Sequence, residues 1–291
     1  MITEGYLARH YQGRHGGRDP ALLDVAQDYA LKFLSDNGIF ELGLTFKGGT
    51  ALRKYRAGNL GRFSTDLDFA AAEEAVADIV LDVLNGAELH EVGFTVEVVT
   101  PHRRGQLTVT TPLGSPAIDA RIEITLRSPW LPCERLAPVD FPVHQGYEFR
   151  PVAAPVMSLE ETFAEKIAAY RRRALLRDLY DLAWFAMQGA FDEPLIRRLT
   201  YLKVYVDVVE EGIASAPFNP VDDLFGRQLR DFPPEDIGLL TGEPDIEAWL
   251  ERVRDRFSFL ADPTSEEERV ARCDPRDRYT VGQTIAALPA L

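Results

Sequence analysis

Apolar residues recur at helical spacing from Pro20 to about Asn37, where Leu22, Leu23, Ala26, Tyr29, Ala30 and Phe33 share one side. Asn37-Gly38 stops that helix, with Gly38 suited to the left-handed residue that closes a helix end. The period then shortens. Leu42 to Phe46 reads as a strand that runs into Lys47-Gly48-Gly49-Thr50, and Ala51 to Tyr55 looks like the first turns of a helix. Leu67-Asp68-Phe69 reads as a second strand, and Ala71 to Leu84 as an alanine-rich helix. Phe94 to Val99, Gln106 to Thr111 and Ala120 to Leu126 alternate or are β-branched, which predicts three more strands.

Pro129, Pro132, Pro138 and Pro142 punctuate the next stretch, which suits edge strands or loops rather than a central strand. A soft boundary falls near residue 150. Beyond it, Ser158-Leu-Glu-Glu161 has the form of a capping box, which predicts a helix to about Arg173. A second helix is expected from about Leu175 to Met187, and further helices over 194–212 and 245–257. The pattern is α+β: a sheet with helices in an N-terminal lobe, residues 1–150, and a mostly helical C-terminal lobe, residues 151–291.

Composition sharpens this only in part. With 291 residues, 46% of them apolar, the chain has material for about two domains and a sizeable core. The net charge of −14 argues against a protein that coats nucleic acid indiscriminately. The acid is unevenly spread: residues 1–70 carry 9 basic and 8 acidic side chains, and residues 201–291 carry 10 and 19. Cys133 and Cys273 show no metal spacing and are expected to be buried thiols in a reducing compartment. The start has no apolar signal-like core and the chain has no long apolar run, so the expectation is a cytoplasmic chain without membrane contact.

Four features carry chemistry. Gly48-Gly49-Thr50 joins a strand to a helix, where bare backbone can approach a phosphate and Thr50 can cap the helix or bond the same phosphate; alone it is also an ordinary strand–helix turn. Asp66 and Asp68 would share one face of a strand while Leu67 and Phe69 enter the core. Two adjacent carboxylates repel unless a cation sits between them, and Mg²⁺ takes carboxylates together with substrate phosphates. In Arg121-Ile-Glu-Ile-Thr125, Glu123 becomes a third metal-facing carboxylate if its strand lies beside that of Asp66 and Asp68. Finally, in Glu161 to Asp181, Lys166, Tyr170 and Arg173 fall on successive turns of one helix side, Asp178 and Asp181 lie on the next helix, and Arg171, Arg172, Arg173 and Arg177 make the densest basic cluster of the chain. Lys166 can neutralise a nucleotide phosphate, and Asp181 can orient it or an attacking hydroxyl. The set suits phosphoryl or nucleotidyl transfer, without the P-loop or kinase signatures.

The run Lys47-Gly-Gly-Thr-Ala-Leu-Arg-Lys54, then Arg62-Phe-Ser-Thr-Asp-Leu-Asp-Phe69, then Glu165-Lys166 with Arg173, then Arg177-Asp-Leu-Tyr-Asp-Leu182, resembles the AbiEii/AbiGii family of nucleotidyltransferase-like toxins, within the DNA polymerase β-type superfamily and near its mycobacterial branch. The resemblance spans roughly residues 20–190. It implies a nucleotidyltransferase-like mixed sheet and Mg²⁺ on Asp66 and Asp68. It also implies a nucleotide held by Gly49 and Thr50, Lys166 and Asp181 as further essential residues, and a separate antitoxin protein. Glu123 rests on the strand argument alone.

The resemblance further implies transfer of nucleotides from an NTP to the 3′ end of tRNA, which stops translation. On that reading Arg171, Arg172, Arg173 and Arg177, with His102, Arg103 and Arg104, are candidate contacts to RNA phosphates. Two rival readings stand beside it: transfer onto protein, as a kinase or nucleotidylating enzyme, and a non-catalytic interaction module that keeps only the fold.

Overall fold

The computed structural model describes residues 2–12, 16–232 and 244–288. They form two units, one of residues 2–129 and 133–157, the other of residues 130–132, 158–232 and 244–288.

In the first unit, α1 (Glu4–Tyr11) and α2 (Arg18–Asp36) come first. Helix α2 accepts Pro20 in its first turn, where no backbone N–H is needed. It ends as its sequence predicts: Gly38 takes φ +69° and the Ile39 N–H closes on the Leu34 carbonyl at 3.0 Å. Then come β1 (Thr45–Lys47), α3 (Gly48–Leu52), β2 (Leu67–Ala70), α4 (Glu74–Leu84), β3 (Glu88–Leu89), β4 (Val92–Thr100), β5 (Arg104–Thr110), β6 (Ala120–Thr125), β7 (Glu134–Leu136) and β8 (Ala154–Val156). The eight strands make one sheet in the order β3-β4-β5-β6-β2-β1-β8-β7. It is mixed: β2 runs parallel to β6 and β1 parallel to β8, while the other pairs are antiparallel.

Two elements start later than the apolar pattern suggests. Leu42 is exposed and ends a 3₁₀ turn, and Gly43 at φ +89° redirects the chain before β1 begins at Thr45. Ala71 prolongs the pairing of β2 with β6, its N–H bonded to the Thr125 carbonyl at 3.0 Å, so α4 starts only at Glu74.

Alternation places Phe94 and Val96 of β4, Leu107 and Val109 of β5, Ile122 and Ile124 of β6 and Leu67 and Phe69 of β2 in one core with Leu22, Val25 and Tyr29 of α2 and Val80 and Leu84 of α4. The intervening residues, among them Glu97, Gln106, Arg121, Glu123 and Asp68, are half-buried or exposed. The sheet therefore has one apolar face and one polar face.

The second unit is helical: α5 (Leu159–Arg173), α6 (Leu176–Ala186), α7 (Glu193–Tyr205), α8 (Ile246–Arg256), α9 (Ser265–Ala271) and α10 (Arg278–Ala287). Phe163 stacks on Phe185 at 4.6 Å and meets Phe257 edge-on at 4.7 Å, which joins α5, α6 and the end of α8. Half of the expected capping box forms. The Ser158 hydroxyl accepts from the Glu161 N–H at 3.3 Å, but the Glu161 carboxylate turns away. It accepts from the Trp130 and Leu131 N–H groups and from Lys203, all at 3.0 Å or less. Cys273 is buried as expected, whereas Cys133 is exposed on the Pro-punctuated loop before β7. Among the described residues, no helix is long and apolar enough to cross a membrane.

A buried ionic cluster ties α2 to the segment after the glycine turn. The Asp24 carboxylate accepts from Arg53 Nε at 3.0 Å and His10 Nε2 lies 2.7 Å away, while Lys54 Nζ donates to the Asp24 carbonyl at 2.7 Å. Lys54 also meets Asp28 at 2.8 Å, and the Tyr147 hydroxyl donates to Asp28 at 2.7 Å. Arg53 continues to the Gly61 carbonyl at 2.7 Å and lies over the Phe63 ring at 4.4 Å. Burial by itself raises the Asp24 carboxyl, but Arg53, Lys54 and His10 hold it well below the usual carboxylate range. For Asp28, burial is likewise outweighed by Lys54 and His144.

Asp24→Asn leaves Arg53 and Lys54 buried beside a neutral amide, so urea denaturation at neutral pH is expected to show a loss of about 3–5 kcal/mol; a midpoint equal to that of the wild type would refute this role. Both carboxyls have a lower pKa folded than unfolded, so the unfolded chain takes up more protons in acid. Their stabilisation is therefore present above about pH 4 and lost as pH falls further. Thermal melts are expected to show that acid limb in the wild type and a shallower one in Asp24→Asn.

Candidate active site

The glycine turn is built around the acids. Gly48 has φ +78°, and a Cβ there would lie 2.6 Å from Asp68 Cγ, so both the conformation and the space require glycine. A Cβ at Gly49 would lie 2.7 Å from Arg62 Nη2 and 2.8 Å from Ser64 Oγ. Thr50 is fully buried, and its hydroxyl donates to the Asp66 carbonyl at 2.5 Å. It thus fastens the turn to the acidic segment from below, and α3 has no side-chain cap.

The segment from Asp66 to Phe69 alternates between half-buried acids and buried apolar residues. Phe63, Leu67 and Phe69 are fully buried. Asp68 lies in β2 and Asp66 immediately before it, both half-buried. Arg62 and Ser64, at the same alternate positions, pack on Gly49. The Asp-x-Asp motif picks out only the two acids of this run. Arg62 and Ser64 continue the two-residue spacing of the acids, on either side of the buried Phe63, and that spacing is the signal for them.

Strand β6 does lie beside β2, with Glu123 the register partner of Asp68. Lys47 is the partner of Asp68 on its other side, and Arg104 that of Glu123. One row across four strands thus reads Lys47, Asp68, Glu123, Arg104. Glu123 Oε1 meets Arg104 Nη2 at 3.1 Å and Arg121 Nη1 at 3.9 Å. Among the described residues, no group of three or more His, Cys, Asp or Glu side chains is placed to hold a metal ion. The Asp66–Asp68 pair nevertheless suits a divalent cation that arrives with phosphates, because such an ion needs only one or two protein carboxylates. Asp66 Oδ1 is buried and accepts no hydrogen bond, with Arg121 Nε 3.4 Å away, so it has capacity for a further positive partner.

In the second unit, Lys166 on α5 and Asp181 on α6 form a buried ion pair of 2.5 Å. The lysine approaches the carboxylate across the two helices and is held in place by it. Gly48, Gly49, Thr50, Asp66, Asp68 and Glu123 gather in the first unit, and Lys166 and Asp181 in the second.

Three arginines of the basic run have carboxylate partners within the protein. Arg171 is buried against Asp223 at 2.8 Å, Arg172 pairs with Asp207 at 2.5 Å, and Arg173 grips the fully buried Asp178 through two bonds of 2.6 and 2.7 Å. His102 is likewise paired with Asp78 at 2.8 Å and Arg104 with Glu123. Most of these partners are distant in sequence or on a neighbouring strand, so the local charge density did not reveal them.

The chain is similar to known proteins. The family model described as nucleotidyl transferase AbiEii toxin, type IV TA system, matches residues 32–268. Among solved structures, the chain is similar to MenT4, a nucleotidyltransferase toxin from Mycobacterium tuberculosis H37Rv, at 44% identity with a TM-score of 0.93, covering 99% of this chain and 100% of that one. JHP933 from Helicobacter pylori matches at 19% identity with a TM-score of 0.44, covering 98% and 99% of the two chains. A comparison with curated proteins finds no match. A glycine turn wrapped on an Asp-x-Asp strand, inside a match that covers most of the chain, settles the family: the protein belongs to the AbiEii nucleotidyltransferase toxins of toxin–antitoxin systems.

Proposed function

We propose that the protein transfers a nucleotide from an NTP to the 3′ end of tRNA, blocks translation by doing so, and is restrained by a cognate antitoxin protein. The observation that carries this reading is the packing of Gly48 on Asp68, which brings bare backbone against a carboxylate pair whose Asp66 Oδ1 lacks a hydrogen bond. The extensive similarity to MenT4, a nucleotidyltransferase toxin, supports it. Such a role places the protein in the cytoplasm.

Asp66 and Asp68 would hold Mg²⁺, which when bound neutralises charge on the nucleotide's phosphates. The backbone of Gly48 and Gly49 lies where phosphate oxygens can be received, with Thr50 fixing the turn to Asp66. In the transfer, a terminal hydroxyl attacks the α-phosphorus and gives up its proton to solvent, one P–O bond forms, the bond from the α-phosphorus to the oxygen bridging it to the β-phosphate breaks, and pyrophosphate leaves. The protein's share is positioning and charge stabilisation. Lys166 supplies a cation to the reaction, and Asp181 orients its ammonium group.

Purified protein with Mg²⁺, labelled NTPs and either total tRNA or cell protein is expected to place label in tRNA. Label in protein instead would favour the kinase or nucleotidylating reading, and label in neither a non-catalytic module. Asp66→Ala and Asp68→Ala are each expected to lower transfer by at least about a hundredfold, since even the outer partners of metal ligands are worth about 10–100-fold. Full transfer by Asp66→Ala would remove the metal assignment.

Lys166→Ala is expected to be severely impaired too. The Asp68→Ala, Lys166→Ala double variant should be scarcely worse than either single change, because groups that act as a unit are non-additive. Independent, multiplying losses measured in single-turnover kinetics would separate Lys166 from the reaction of the acid pair.

A further inference from the structure

The two acids are anchored differently. β2 enters the sheet only at Leu67, whose partner on β6 is Ile122. Asp68 is therefore placed by register, between Lys47 and Glu123. Asp66 and the residues before it lie outside the ladder, so their backbone carbonyls need other donors.

Side chains supply them. Arg53 Nη1 donates to the Gly61 carbonyl at 2.7 Å, Arg62 Nη1 to the Phe63 carbonyl at 3.1 Å, and the Thr50 hydroxyl to the Asp66 carbonyl at 2.5 Å. The two carbonyls in between, those of Ser64 and Thr65, share one donor group. Gln27 Nε2 of α2 donates to both, at 2.9 and 3.1 Å.

Gln27 stands there at a cost. It is 1% exposed, and its Oε1 is buried without a hydrogen bond. Turning the amide over would set its oxygen against two carbonyl oxygens, so the acceptors fix the orientation and the orphaned Oε1 follows from it. A buried acceptor without a partner weakens the fold, and a methionine of similar length would not incur that loss. Packing alone therefore does not account for an amide at this position. The two bonds to the segment before Asp66 do.

We propose that Gln27 is a positioning residue of the active site: through the Ser64 and Thr65 carbonyls it sets where Asp66 stands relative to Asp68, and so the spacing of the carboxylates that would receive a divalent cation. That role rests on the nucleotidyl-transfer reading and deepens it by naming what holds the acid outside the ladder. The bond to Ser64 has a second effect. Ser64 Oγ packs on Gly49, where a Cβ would lie 2.8 Å away, so the same amide steadies the acidic segment against the glycine turn. Helix α2 thus reaches the site by two routes, from Asp24 and Asp28 through Arg53 and Lys54, and from Gln27 directly.

Gln27→Met keeps the length of the side chain and removes both donors. The full chain is titrated with Mn²⁺ by electron paramagnetic resonance, in the presence of the non-hydrolysable α,β-methylene analogue of each of the four NTPs. Gln27→Met is expected to hold Mn²⁺ about tenfold more weakly than the wild type or worse, as outer partners of metal ligands do, while its melting temperature stays within about 4 °C. In transfer assays its kcat should fall and its KM for tRNA stay unchanged. Excess Mg²⁺ should restore much of the rate, because the carboxylates are displaced rather than absent; Asp66→Ala should show no such rescue. Gln27→Asn, whose amide is one methylene shorter, should fall between. Val80→Ala, a core change on α4, is the structural comparison and should lower the melting temperature with Mn²⁺ affinity unchanged.

Wild-type Mn²⁺ affinity in Gln27→Met would overturn the positioning role and leave nucleotidyl transfer standing. So would an equal loss of affinity in Val80→Ala, which would make Gln27 one core residue among others. If Gln27→Met does not fold, Gln27→Asn decides by the same titration, weakened Mn²⁺ binding supporting the role and unchanged binding removing it. If the wild type binds Mn²⁺ with none of the four analogues and transfers no nucleotide, the nucleotidyl-transfer reading itself fails.

Discussion

Two consecutive cations, Arg53 and Lys54, are sealed in the core of the first unit, and Asp24 is what makes that possible. An unpaired buried charge is costly by several kcal/mol, so the carboxylate and its partners form together or not at all. The arrangement also has direction. Asp24 and Asp28 stand on α2, whereas Arg53 and Lys54 stand just beyond the glycine turn. Arg53 reaches on to the carbonyls of Gly58 and Gly61, which lead into the segment that carries Asp66 and Asp68. One ionic cluster therefore fixes the turn and the acids to the same helix. Catalytic geometry of this kind tolerates little looseness, and a buried, multiply bonded anchor limits it.

A second tie is smaller and closer. The Thr50 hydroxyl on the Asp66 carbonyl joins the turn to the strand directly. With Gly48 against Asp68 and Gly49 against Arg62 and Ser64, the glycine motif and the acidic motif are one packed object. Neither half would keep its shape without the other.

Much of this was legible from residue order. Alternation in β5, β6 and the first half of β4 showed which residues would face the core, and Asp66 and Asp68 came from the same period around Leu67 and Phe69. Gly38 marked the end of α2 because its conformation is a local property. What stayed hidden depended on distant partners. Arg171, Arg172 and Arg173 looked like a free basic surface because Asp223, Asp207 and the orientation of Asp178 are invisible to local pattern. Glu161 looked like half of a capping box, yet its carboxylate serves Trp130, Leu131 and Lys203. Glu123 was placed on the right strand, but the arginine on the strand beyond it could only come from register.

The row Lys47, Asp68, Glu123, Arg104 has formal charges that cancel, with the negative members inside and the positive ones at the rims. Seen from beyond a Debye length, about 10 Å in 0.1 M salt, such a row has almost no field of its own, and the surrounding molecule carries −14. A polyanion therefore gains nothing from this face at range. Attraction begins only when its phosphates are near enough to distinguish one strand from the next, so fit selects the ligand before charge rewards it.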